Sequence, residues 1–309
     1  MHVAIIGGTG FVGSYLVDEL RENGHQVSLL VREGSESKVD RDDLHRIVTG
    51  DISSADALQA LLEDCDAVIY CIGILRESRR RGITFEALQY EGLAATVDAA
   101  SSVGVGRLLL MSANGVKIPG TLYQESKIRA EKVALTSGLK STVFRPSVIF
   151  GDPRGKMEFA SQLFRDMVAM PFPALGFFTG LNPTKGPVLM SPIHVRDVAR
   201  AFCRALEDSA TYGRVYDLGG PEALSWVEII RRIAAATGRK KWILPFPLRI
   251  MKLAAWFFDW LPFFPITGDQ LTMLAEGNVA DPEMVISLIG ESPSAFSVDN
   301  LRYLNRTTN

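Results

Sequence analysis

The sequence predicts an α/β protein built on a doubly wound parallel sheet, with a smaller, mainly helical C-terminal region for a substrate or partner. Three observations predict it. Apolar runs of four or five residues alternate with helix-length stretches through the first half of the chain. Those runs lack polar–apolar alternation, as a sheet buried on both faces requires. After Gly151 the alternation stops, and proline- and aromatic-rich sequence takes over. Strand–helix–strand order then implies right-handed crossovers between parallel strands.

In chain order, Val3–Ile6 reads as the first strand and Gly13–Asn23 as a helix stopped at Gly24. Val27–Val31 is the second strand, followed by a polar loop. Arg46–Val48 is a short strand, Ala55–Glu63 a helix and Ala67–Cys71 a strand. Phe85–Ser101 has the length of a long helix, Arg107–Met111 reads as a strand, Tyr123–Thr136 as a helix and Thr142–Arg145 as a strand. Five prolines between 153 and 187 (Pro153, Pro171, Pro173, Pro183, Pro187) argue against strands in a sheet interior there. Val198–Leu206 is a helix, Val215–Leu218 a strand, and Ser225 caps a helix running to Thr237. The remainder reads as helical with proline breaks.

At 309 residues, with 47% hydrophobic and 22% charged side chains, the chain is large enough for one α/β domain and a smaller partner region. A formal net charge of −2 offers no footprint for nucleic acid. Arg76–Arg81, the densest basic cluster, reads as a solvated loop ahead of a helix. Cys65, Cys71 and Cys203 are odd in number and fall at no metal-ligand spacing. Neither a disulfide framework nor a metal site is expected, and a reducing, cytoplasmic compartment is. Val3–Ile6 follows directly on Met1-His2, so no cleavable leader is expected.

Gly7-Gly8-Thr9-Gly10-Phe11-Val12-Gly13 joins the first strand to the first helix. Glycines at these spacings allow a tight turn, close approach of a pyrophosphate and close packing of helix on strand. Thr9, Phe11 and Val12 stand where free N–H groups and the positive end of the helix dipole meet the phosphates. This is the signature of a dinucleotide-binding, Rossmann-type unit. Where the second strand ends, an acidic reader of a ribose 2′-hydroxyl is replaced by Arg32, with Glu33 next and Lys38 further on. Arg32 suits a 2′-phosphate, so NADP(H) is preferred, while Glu33 keeps NAD(H) open. The expected organisation is a dinucleotide-binding unit over 1–151, an insert lining a substrate pocket over 152–187, a return to the sheet over 188–220, and a helical region over 221–309.

Tyr123 and Lys127 stand at i and i+4, on one face of a helix. An ammonium at Lys127 can hold the nicotinamide ribose and stabilise a tyrosinate, leaving Tyr123 to exchange a proton with a substrate oxygen. His194 and Asp197 have no third partner at metal spacing and read as structural.

Several stretches together resemble the short-chain dehydrogenase/reductase superfamily in its extended and atypical branches. They are Gly7–Gly13, Gly50-Asp51-Ile52, Tyr123-x-x-x-Lys127, Arg145–Gly151, Ile193–Ala199 and Leu218–Glu222. The branch most resembled contains the nucleotide-binding accessory subunit of respiratory complex I and its bacterial relatives. Leu-Ser-Trp-x-Glu-Ile from Leu224, Leu-Pro-Phe-Pro-Leu from Leu244 and Thr-Gly-Asp-Gln-Leu from Thr267 extend the resemblance nearly to the chain's end. It implies that Asp51, with Ile52, meets the adenine amino group, and that Cys71-Ile72-Gly73 lie along the ribose and adjoining pyrophosphate. It also implies that Pro146, Ser147 and Val148 border the nicotinamide. Gln89 stands nearest the Asn that the family carries in the helix before the active site. The family's catalytic Ser or Thr is matched by Ser112 or, in another register, by Asn114; an Asn donates a hydrogen bond but does not relay a proton as a hydroxyl does.

Residues 242–266 are dense in large apolar side chains but broken by prolines and charges, which excludes an ordinary spanning helix. From Leu248 to Leu261, Arg249, Lys252 and Asp259 fall in one sector of a helical wheel and the rest is apolar. A buried lid over the substrate pocket, a membrane-surface helix at the inner face of a membrane and a docking face for a protein partner all remain open. Phe159, Phe164, Phe172, Phe177 and Phe178 in the insert favour an apolar substrate, quinone-like or isoprenoid. Two functions follow: an NADP(H)-dependent oxidoreductase or epimerase, or a non-catalytic NAD(P)H-binding accessory or assembly subunit of a respiratory complex.

Overall fold

The computed structural model describes residues 1–39, 44–180, 182, 186–251 and 268–308. The chain divides into two compact units: Met1–Pro146 with Arg196–Asp217, and Ser147–Val195 with Leu218–Asn309.

The first unit is organised by seven strands. Six of them are β1 (His2–Ile6), β2 (Gln26–Val31), β3 (Arg46–Thr49), β4 (Ala67–Tyr70), β5 (Arg107–Met111) and β6 (Lys140–Pro146). The strand Arg214–Leu218 stands at one edge, and the rest follow from it in the order β6-β5-β4-β1-β2-β3. The pairings from β3 across to β6 are parallel, with Ile5 opposite Leu29 on one side and Ile69 on the other. The strand order reverses beside β1, and in an open α/β sheet ligands bind at that switch point, beyond the carboxyl ends of the strands. All five β1 residues are buried, which explains the absence of alternation.

Alternate strand residues serve opposite faces. Ala4, Ile6, Val68, Tyr70, Leu108 and Leu110 pack under α2 (Ala55–Leu62), α3 (Gly92–Val103) and α4 (Leu122–Thr136) through Leu58, Leu61, Leu93, Val97 and Ala130. On the other face lie α1 (Phe11–Glu22) and the helix Val195–Glu207, whose Phe202 ring sits 4.3 Å from that of Phe144. The long helix expected over Phe85–Ser101 is real but not uniform. Glu86–Glu91 winds as a π-helix before α3 begins at Gly92, and Gly104 in the left-handed conformation (φ 83°) ends it.

The second unit has its own core, built from Phe150, Phe164, Phe177, Trp226, Ile229, Ile233, Phe296 and Leu301. The mainly helical C-terminal region expected from the sequence is present, with one exception. Ile243–Pro247 is a strand, and it pairs in parallel with Ala174–Phe178 from the proline-rich stretch. A two-stranded ribbon has no interior strand, so the missing N–H groups of Pro245 and Pro247 are tolerated at its edges. Ser225 caps the helix Trp226–Ala236 with Glu228 in a capping box, and Gly268–Glu276 and Pro282–Ile289 supply the expected tail helices. Residues 252–266, most of the wheel that begins at Leu248 and most of 242–266, lie outside the described residues. Among the described residues no helix is long and apolar enough to cross a membrane.

Candidate functional site

The turn between β1 and α1 is held by a Gly10 N–H donating to the Gly7 carbonyl at 3.0 Å. Gly7 lies at φ 101°, and a Cβ there would come within 3.0 Å of Cys71 and 3.1 Å of the Ile72 backbone. Only glycine accepts both conditions. Gly13 faces the Gly7 carbonyl, and a Cβ on it would lie 2.6 Å from the Gly8 Cα, so the helix packs directly on the turn. α1 starts without a side-chain cap and with no acidic residue in its first turn. The N–H groups around Phe11 and Val12 and the helix dipole are therefore left for an anion, and a bare glycine cradle of this shape fits a pyrophosphate.

At the end of β2, Arg32 is exposed and its charge reaches Asp51. The Asp51 carboxylate accepts from the Ser53 N–H at 3.0 Å and the Ser53 hydroxyl at 2.8 Å. Those bonds first, and Arg32 after them, hold the carboxyl below its ordinary 3.8. The two residues read from the sequence thus meet at one rim. Ile52 is turned inward, 4% exposed, within the core beneath Gly92. Lys38 closes the turn Glu36–Lys38, and its side chain lies outside the described part. Cys71 is buried with its thiol donating to the Ile6 carbonyl at 3.4 Å, and burial pushes it up to about 12, so it is inert as a nucleophile. Ile72 is half-buried and Gly73 exposed beside it.

Lys127 is 3% exposed, and its ammonium donates to the Met111 carbonyl at 3.0 Å and the Ile72 carbonyl at 3.3 Å. These carbonyls stand just past β4 and at the end of β5, so the side chain spans the carboxyl edge of the sheet. Burial lowers its pKa to about 8, against the opposing pull of Cys71 and Glu131. One turn earlier, Tyr123 packs edge-on against Phe85 with ring centroids 5.5 Å apart. Its hydroxyl has no hydrogen-bond partner among the described residues, and burial pushes its pKa up to about 12. The helix that carries both starts sharply, because Thr121 and Gln124 form a capping box.

Gln89, in the π-helical turn, accepts from the Ser126 hydroxyl at 2.8 Å and donates to the Ile74 carbonyl at 3.3 Å. It thereby ties the loop after β4 to the Tyr123 helix. Ser112 donates its hydroxyl to Glu131 at 2.5 Å, and Arg145 grips the same carboxylate at 2.8 and 2.5 Å. Ser112 is thus engaged inside a buried network, whereas the Asn114 carboxamide is half-buried with no partner among the described residues. Sequence reasoning missed Glu131, whose one signal was its position four residues past Lys127. Pro146 ends β6; Ser147 and Val148 belong to the second unit, where the Ser147 hydroxyl donates to the Asn278 carbonyl at 2.9 Å. His194 packs edge-on against Phe150, at 5.0 Å.

A family model described as NAD(P)H-binding matches residues 7–167, more than half of the chain. The chain is 25% identical to a mitochondrial NADH dehydrogenase (ubiquinone) 1 alpha subcomplex subunit 9 of Mus musculus, over 98% of this chain and 79% of that one. It is 27% identical to a ceramide reductase of Caulobacter vibrioides, over 79% of this chain and 73% of the relative. In fold it is similar to a Thermus thermophilus UDP-glucose 4-epimerase crystallised with NAD, at a TM-score of 0.71, 18% identity and coverage of 99% and 98%. Matched on the segment that forms the glycine cradle and on the helix that carries Tyr123 and Lys127, the chain belongs to the NAD(P)H-binding family, within the extended and atypical branches of the short-chain dehydrogenase/reductase superfamily.

Proposed function

We propose that the protein is an NADP(H)-dependent oxidoreductase acting on an apolar substrate. The observation that carries this reading is a buried ammonium at Lys127, one helical turn from a Tyr123 phenol that burial keeps protonated up to about 12. A neutral phenol is the proton donor when the substrate is reduced, and the phenolate it leaves is the acceptor in the reverse direction. When bound, the dihydronicotinamide supplies a hydride to the substrate carbon. Tyr123 gives the proton to the substrate oxygen, and Lys127 bonds the ribose and steadies the phenolate left behind. Asn114 supplies the second donor to that oxygen, because the Ser112 hydroxyl is engaged with Glu131. Arg32, exposed at the rim beside Asp51, takes the 2′-phosphate. The apolar substrate class rests on the Caulobacter relative, named as a ceramide reductase, since Phe159, Phe164 and Phe177 pack into the second unit's own core.

The second reading is a non-catalytic NAD(P)H-binding subunit of a respiratory assembly. The engagement of Ser112 with Glu131 and the likeness to the mouse subunit over 98% of the chain favour it. Single-turnover oxidation of bound NADPH separates the two, with a long-chain ketone and a short-chain quinone as acceptors. Oxidation stoichiometric with product supports the enzyme. NADPH that stays bound and reduced with both acceptors sinks it.

A further inference from the structure

We propose that Glu131 is a positioning residue for the cofactor site: it fixes Ser112 after β5 so that the adjoining Met111 carbonyl holds the Lys127 ammonium in place. This rests on the reading that Lys127 contacts the cofactor. The chain of contacts is continuous. Arg145, from β6, clamps both oxygens of Glu131 at 2.8 and 2.5 Å. Glu131, only 3% exposed, accepts from the Ser112 hydroxyl at 2.5 Å. Ser112 is held on its other side by its N–H donating to the Phe144 carbonyl at 2.7 Å. The carbonyl just before it, on Met111, receives Lys127 at 3.0 Å.

A buried carboxylate paired to one arginine is not needed for stability, since an apolar pair of the same volume serves as well. What an apolar pair would not supply is a fixed acceptor on the strand and a negative charge four residues from the lysine. Both act on Lys127. The strand fixes where the ammonium sits, and the charge opposes the burial that strips its proton. The groups that bear on this balance are the Cys71 thiol from the end of β4 and Glu131 from α4. Arg145 from β6 stands behind Glu131, and Asp217 from the edge strand Arg214–Leu218 acts on Arg145. The end of β5 contributes the Met111 carbonyl and, next to it, the Ser112 hydroxyl.

The experiment measures NADPH affinity against pH in Glu131→Gln, Ser112→Ala and Lys127→Ala, with thermal melts to verify the fold. Ser112→Ala removes one hydrogen bond and no charge, so it reports on positioning alone. Affinity in the parent holds below about pH 8 and falls above it, as Lys127 loses its proton. In Glu131→Gln the falling limb moves to lower pH, and affinity at pH 8 drops by about tenfold. Ser112→Ala weakens binding by about fivefold, and Ser112→Thr, which keeps a hydroxyl, recovers most of that loss. A Glu131→Gln protein that folds and keeps both the parent affinity and the parent limb overturns the proposal, while weak binding in Lys127→Ala leaves the reading of Lys127 standing. Parent-like binding in Lys127→Ala overturns both.

Discussion

The side chains of the proposed cofactor site divide by what each would recognise, and single substitutions separate them. Arg32 stands exposed at the rim with Asp51, and the proposed function gives it a 2′-phosphate as partner. Arg32→Ala is expected to weaken NADPH by about 10–100-fold and NADH hardly at all, the size of one charged hydrogen bond. Titrations with both nucleotides check this, and equal losses would remove Arg32 from the site. Tyr123→Phe deletes a hydroxyl without a protein partner among the described residues and keeps the ring against Phe85. NADPH binding therefore persists while single-turnover reduction slows by about a hundredfold or more. Lys127→Ala loses both. A Tyr123→Phe variant that turns over at the parent rate would end the catalytic assignment and leave the nucleotide site intact. At this scale the spacing of Tyr123 and Lys127 was enough to place them one turn apart on a single helix, as they stand. The sequence was silent on Glu131, because nothing in one helix tells that β5 and β6 bring Ser112 and Arg145 to the same carboxylate. It also left Ser112 and Asn114 as equals, and only the bond from Ser112 to Glu131 distinguishes them.

Between residue and molecule, the turn into α1 and the π-helical turn before α3 do most to shape the site. Gly10 has ordinary extended backbone, and a Cβ there touches only the Gly7 carbonyl, at 3.1 Å. Gly10→Val is therefore expected to fold but to lose NADPH, since the branched side chain fills the phosphate cradle. Gly13→Ala behaves in the opposite order. Its methyl meets the Gly7 carbonyl and the Gly8 backbone, so the melting temperature falls first and binding fails with it. Calorimetry and nucleotide titration on the pair distinguish these outcomes. The π turn was not legible, because apolar spacing over Phe85–Ser101 suits an α-helix and a π turn equally. The strand Ile243–Pro247 was hidden for another reason: its prolines deny an interior strand, and a two-stranded ribbon has none.

Stability of the whole molecule carries a pH signature set far from the cofactor, at the start of β1. His2 is 7% exposed, with one ring nitrogen 2.7 Å from the Ser28 hydroxyl, the other 2.9 Å from the Asp64 carbonyl, and the His45 ring 4.6 Å away. Burial lowers its pKa below the ordinary 6.5, with His45 and Arg46 adding to the effect. The folded state therefore binds fewer protons there than the unfolded chain. The stability that His2 contributes is present above pH 6.5 and is lost as pH falls through its folded-state value. Urea midpoints at about pH 7.5 and about pH 5.5 are expected to fall toward acid, and to fall less in His2→Gln. An equal fall in both would assign the acid sensitivity elsewhere. The seven-strand order has a separate consequence, for synthesis on the ribosome. β6 ends at Pro146, and its outer neighbour begins only at Arg214. At roughly 5–20 residues per second, the nascent sheet waits several seconds with β6 as a bare edge before the chain that covers it has emerged. For that interval the growing polypeptide carries an unpaired strand able to pair with a neighbour's, which is when a chaperone would matter most to this protein.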